Sequence, residues 1–181
     1  PNTTDAAAIS YRNEFGSDRL YLVDPWVKVW ETTSKDVVIR PASARVAGVI
    51  AKSDAERGFW HSPSNRLIDG IGGTARPIDF ALGDATARAN LLNEQEVTTI
   101  INRDGYRLWG NRTLSADAKW AFLKRRRVAD MINESIMQAH FWAVDRNADR
   151  TYFEDVVEGV NAYGRHLVAI GELVDFKCWA I

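Results

Sequence analysis

Cysteine is almost absent: Cys178 stands alone in 181 residues. A single thiol cannot build a disulfide framework, nor a thiolate zinc site, which needs two or three such ligands or well-spaced histidines. Its setting, Phe176-Lys177-Cys178-Trp179, reads as a small half-buried residue on a strand rather than a reactive thiol. An excess of one charge is lacking too. Lysine and arginine total 23 against 24 acidic residues, so no long-range field draws nucleic acid or an anionic membrane. No apolar run approaches the ~18–20 residues that span a bilayer, and no basic-then-apolar leader opens the chain. This predicts folding in a cytoplasm-like compartment. The three histidines, His61, His140 and His166, are too far apart in sequence for a helical metal pair. The chain starts at Pro1 rather than methionine, which suggests a piece of something longer.

What is present fits a globular chain. Hydrophobic residues make up 46% and charged residues 26%, enough for a sizeable core and too apolar for disorder. Residues 1–17 are small and polar and read as an irregular lead-in; 18–181 reads as a single domain. Strands are expected at Leu20–Val23, Trp26–Trp30 and Val37–Ile39. Trp26, Lys28 and Trp30 share one strand face, and two tryptophans flanking a lysine suggest that this face is buried with the lysine stem laid along it. A helix follows from Ser43 to near Gly58, with Val46, Ala47, Ile50 and Ala51 on one side. Residues 58–83 are rich in glycine and proline and carry no clear period, the mark of a functional or interface loop.

A short helix is expected over Ala85–Gln95. Val97–Ile101 and Tyr106–Trp109 then read as a hairpin turned by Asp104-Gly105. Lys119–Leu123 reads as another strand. Two long helices come next, one over Arg127–Val144 and one opened by Thr151-Tyr152-Phe153-Glu154 as a capping box and stopped by Gly171. Leu173–Trp179 is expected as a closing strand. The class is α/β, with α+β possible: a mixed sheet flanked by two long C-terminal helices and a shorter N-terminal helix.

Chemistry is scarce. Gly70-Ile71-Gly72-Gly73-Thr74 lacks the lysine and hydroxyl that a phosphate loop places after its last glycine. His61, with nearby serines and Asp69 and Asp79, supplies the letters of a hydrolase triad but no nucleophile elbow; a hydrolase on this loop is the competing reading. No catalytic, cofactor-binding or metal residue is assigned. The strongest charge feature is Lys124-Arg125-Arg126-Arg127, at the positive end of a helix where cations are disfavoured. It is either balanced by carboxylates of the same chain or faces an acidic partner. Seven tryptophans exceed what a small core needs, and aromatic residues are enriched at interfaces. Trp60 and Trp109 lie in or beside loops, whereas the other five fit core positions. Arg125, Arg126, Arg127, Trp60 and Trp109 are therefore the candidate partner-interface residues.

Long blocks of the chain resemble one family. They are 24–30 (DPWVKVW), 40–48 (RPASARVAG), 54–65 (DAERGFWHSPSN), 75–80 (ARPIDF), 91–94 (LLNE), 105–113 (GYRLWGNRT) and 153–161 (FEDVVEGVN). Together they look like the contractile tail sheath family of phages, closest to the sheath of P2-like myophages, from about Tyr21 onward. The resemblance implies a structural protomer, not an enzyme. It would polymerise helically around a tail tube and contract to drive the tube through a bacterial envelope, without nucleotide, metal or other cofactor. The implied partners are other sheath protomers, the tube, the baseplate and the tail terminator, with no direct nucleic acid and no membrane. The implied place is the virion tail, assembled in the host cytoplasm. Family members are longer at both ends, and their terminal arms add strands to neighbouring protomers; a core lacking those arms is expected to associate weakly.

Overall fold

The computed structural model describes residues 3–147 and 149–180. Two compact units emerge, Pro1–Val128 and Ala129–Ile181, where the sequence suggests one domain over 18–181. The α/β class holds, and the strands gather into two small antiparallel sheets.

In the first unit the lead-in is not irregular throughout. Helix α1 (Asp5–Arg12) is capped by the Thr4 hydroxyl, which accepts the Ala7 N–H at 3.1 Å. Thr4 followed by a run of alanines supplies both a cap and strong helix formers. The helix is fixed at both ends by ion pairs, Asp5 with Arg76 (2.6 Å) and Arg88 (2.7 Å), and Arg12 with Glu96. Between them Ala8 is fully buried against Ile78, Ala89, Leu92, Val97 and Ile101.

Strands β1 (Val27–Glu31), β2 (Asp36–Arg40) and β3 (Gly73–Thr74) form a sheet in the order β2-β1-β3. β3 lies inside the glycine-rich stretch, which therefore supplies an edge strand rather than a loop alone. The register places Lys28 opposite Ile39 and Trp30 opposite Val37. The alternation is as expected, but the buried face is the other one. Val27 (0% exposed) and Val29 join Val46 and Val49 of helix α2 (Ser43–Arg57), with Ile68, Ile100 and Leu108, in a second core; Trp30 is 61% exposed. Compact β-branched valines fill the narrow gap between strand and helix, and they have high strand propensity as well.

Helix α3 (Arg88–Glu94) leads into the hairpin of β4 (Thr99–Asn102) and β5 (Tyr106–Trp109). Three residues, Arg103, Asp104 and Gly105, connect the paired Asn102 and Tyr106, and Asp104 (φ 50°) and Gly105 (φ 101°) take the positive φ that the turn needs. The segment expected as a strand at 20–23 contributes a single parallel bridge, Val23 to Thr98. Lys119–Leu123 is not a strand. It is a 3-10 turn at Ala118–Trp120 followed by the start of helix α4 (Leu123–Ala139), with one bridge between Arg112 and Phe122.

In the second unit α4 ends at Ala139 and a 3-10 turn covers Phe141–Ala143. Helix α5 (Arg150–Ala169) is capped by Asp149, whose carboxylate accepts the Tyr152 N–H at 2.8 Å. The cap thus falls two residues before Thr151, and Glu154 pairs with Arg150 instead of closing a capping box. Gly171 (φ 79°) terminates the helix as expected. Residues 173–180 form no strand. Phe176 packs on Gly164, and the Asn161 amide holds Cys178.

Candidate interaction surfaces

The basic run divides by residue. It occupies the first turn of α4, where unsatisfied N–H groups already carry positive charge, so its guanidinium groups need partners. Arg126 is buried. It donates to Asp18 at 3.1 Å and lies 4.1 Å over the Trp120 ring. Arg127 forks onto Asp54, with the Nη1–Oδ1 bond at 3.1 Å, and also reaches the Phe59 carbonyl. Both are thus occupied by their own unit. Arg125 stays exposed, 5.2 Å over the Phe122 ring, with Lys124 beside it.

Trp60 is half-buried, edge-on to Phe59 with centroids 5.4 Å apart, and its ring lies over Gly58, where any Cβ would collide with it. Trp109 is half-buried too and edge-on to Phe80 at 4.7 Å. Phe80 and Trp109 line one side of an open pocket of about 300 Å³, with the loop from Ala81 to Ala87 on the other. His61 stacks beside Trp60 at 5.6 Å. Its Nδ1 is buried without a hydrogen-bonding partner among the described residues, so neither a serine nor Asp69 or Asp79 completes a triad there. Among the described residues no group of three or more histidine, cysteine or carboxylate side chains could hold a metal ion. No described helix is long and apolar enough to cross a membrane.

Two apolar surfaces were not singled out from sequence. The first is the outer face of the three-stranded sheet, where Trp30, Val37 and Ile39 are exposed beside Lys28. The carbonyls of Trp26 and Lys28 accept from Ala75 and Gly72 on the β3 side. In an antiparallel ladder the odd residues of β1 then turn to β2, which leaves the backbone groups of Val37 and Ile39 on the open edge. There the Asp36 carboxylate accepts the Val37 N–H at 2.7 Å. The second, in the other unit, is an open groove of about 760 Å³ between α5 and residues 178–180. Phe153, Val157 and Trp179 supply its apolar lining, and Arg150, Glu154 and Glu158 stand on its rim. The signal for the first was the alternation of β1, read with the wrong side inward. The second had no signal, because the sequence reads residues 173–179 as a strand of the sheet.

Comparison with known proteins gives a consistent picture. Residues 1–114 match the phage tail sheath protein central domain, and residues 115–180 match the phage tail sheath C-terminal domain. A prophage major tail sheath protein of Pseudomonas aeruginosa is 52% identical over 180 residues, covering 99% of this chain and 47% of that protein. The tail sheath protein of Escherichia phage P2 is 37% identical over 170 residues, covering 94% of this chain and 43% of that protein. Among solved structures, the helical sheath of the anti-feeding prophage in its contracted state aligns with a TM-score of 0.76 at 26% identity, covering 86% of this chain and 42% of its own. The chain spans less than half the length of these relatives.

Proposed function

Because the chain belongs to the phage tail sheath protein family, we propose that it is the core of a structural sheath protomer. In this reading the whole protein stacks helically around a tail tube, and rearranged packing between copies drives the tube through a bacterial envelope. The observation that carries the reading is the match of both sheath domains, in order, over residues 1–180. The surfaces agree with it. Large hydrophobic side chains stay exposed on the sheet face and beside α5, and exposed apolar patches of this kind mark sites of association.

The partners proposed are other copies of the protein, the tail tube, the baseplate and the tail terminator. The place of work is the tail of the particle, after assembly in the host cytoplasm. The role is non-enzymatic. Of the basic run, Arg125 with Lys124 is the part that would meet an acidic partner, since Arg126 and Arg127 already hold Asp18 and Asp54. Trp60 and Trp109 would add aromatic area to such a surface.

The test is electron microscopy of the full-length protein, alone and with its tube protein. Hollow tubules of uniform width are expected. An intact protein that stays monomeric with and without tubes would overturn the reading.

A further inference from the structure

The open sheet face and the α5 groove differ in shape and in charge. On the β1–β2 ladder the outward residues are Lys28, Trp30, Val37 and Ile39. Lys28 is the only charge among them, and the charged residues Glu31, Asp36 and Arg40 belong to the opposite face by the strand's period of two. The face is thus an indole knob on an aliphatic base with one cation beside it. The groove is the reverse. Its lining is aromatic and aliphatic, and its rim carries two carboxylates, Glu154 and Glu158, against one guanidinium, Arg150. Arg150 is already paired with Glu154 at 2.7 Å. Glu158 is paired with Arg165 at 2.7 Å, an exposed ion pair whose carboxylate an incoming cation would share.

We propose that the Trp30 knob of one copy seats in the α5 groove of the next copy, with Lys28 set against Glu158. The proposal rests on the sheath reading above and names the contact that reading leaves open. A helical array needs a heterologous contact, in which two different patches of one chain meet, because only such a contact repeats without closing. Two sheet faces packed on each other would form an isologous pair that stops at a dimer and gathers two Lys28 ammonium groups in one apolar contact. The knob and groove avoid both outcomes. Buried tryptophan anchors ringed by polar side chains are the usual form of an energetic hot spot. Phe153 and Trp179 offer ring edges and faces to an entering indole.

The experiment uses the full-length protein, with wild-type tubule formation as the reference. Trp30→Ala and Trp30→Glu should keep the wild-type melting temperature, because Trp30 lies outside the core, and should slow polymerisation at least tenfold. Lys28→Glu should impair assembly, and Glu158→Lys in the same chain should restore it. A Lys28→Cys variant supplies an independent readout: under mild oxidation it should form a reducible covalent dimer through Cys178 of another copy, identified by mass spectrometry of the linked peptides. If wild type forms tubules and Trp30→Glu does so at the same rate, or if the 28–178 crosslink fails to form in assembled tubules, this contact is wrong and the sheath reading stands. If wild type itself does not polymerise, both fall together.

Discussion

The side-chain amide of Asn161 grips Cys178 by both of its backbone polar groups. Its Nδ2 donates to the Cys178 carbonyl at 3.0 Å, and its Oδ1 accepts the Cys178 N–H at 2.8 Å. This is the pair of bonds that a residue on a neighbouring strand would exchange, supplied here by one residue of a helix. The extended segment is thereby docked without a sheet. Asn161→Ala removes both bonds and should cost about 1–3 kcal/mol locally. Amide hydrogen exchange at Cys178 should rise by about 10- to 100-fold, while amides in β4 keep their protection. Unchanged exchange at Cys178 would show that the tail is held by other contacts.

One helical turn on, Gly164 is buried beneath the ring of Phe176, and a methyl group there would overlap the ring atoms. Alanine is the better helix former by about 1 kcal/mol, so an unhindered site would gain stability from Gly164→Ala. Here overpacking, about 1–3 kcal/mol, opposes that gain. A lower melting temperature and a displaced Phe176 ring signal are expected in Gly164→Ala. Phe176→Ala in the same chain should recover the alanine gain.

How much of this was legible in the sequence depends on how local each cause is. The β4–β5 hairpin was readable because Asp104-Gly105 carries its own turn geometry, and the end of α5 because Gly171 does. The buried side of β1 was not. Alternation separates Trp26, Lys28 and Trp30 from Val27 and Val29 but does not say which set faces α2. The missing strands at 119–123 and 173–179 failed for a related reason. A strand needs a partner, and propensity alone does not show that Phe122 forms a single isolated bridge, with Arg112, or that Cys178 meets a side chain. The Arg126 and Arg127 partners lie 108 and 73 residues away, so the run read equally well as interface or as internal ion pairs.

That division of the basic run can be measured. Arg126 lies between Asp18 and the Trp120 face with 11% of its side chain exposed, whereas Arg125 is on the surface. Arg126→Ala leaves Asp18 with the exposed Arg19, 4.0 Å away, and empties a packed site. A loss of about 2–4 kcal/mol is expected, near the lower end of the range for breaking a buried pair because Asp18 keeps some solvent. Arg125→Ala should stay within about 0.5 kcal/mol. Denaturant midpoints of the two variants decide the matter, and equal losses would contradict the geometry. With folding intact, Arg125→Glu is the variant that then tests the acidic-partner role of the run in tubule assembly.

The docking of α1 should depend on acid. The Arg88 guanidinium, hydrogen-bonded to Asp5, pulls its carboxyl below the ordinary value of 3.8; burial opposes this, and Arg76 adds to the lowering. Asp24 and Asp79 share these arginines, at 2.6 Å from Arg76 and 3.9 Å from Arg88, so both cations serve more than one carboxylate. A carboxyl whose folded pKa is depressed binds fewer protons in the folded chain than in the unfolded one. Its contribution is complete above the unfolded value and disappears as pH falls from about 4 through the lowered folded value. For a partly exposed pair this is about 1 kcal/mol. Protonating Asp5 leaves Ala8 as the one fully buried anchor, so exchange of α1 amides should rise at low pH before the β4–β5 amides respond, after correction for intrinsic rates. Asp5→Asn should show the raised exchange already at neutral pH and little further change on acidification. If α1 in the Asn variant keeps wild-type protection at neutral pH, the apolar contact of Ala8 and the Arg12–Glu96 pair hold the helix without help from Asp5.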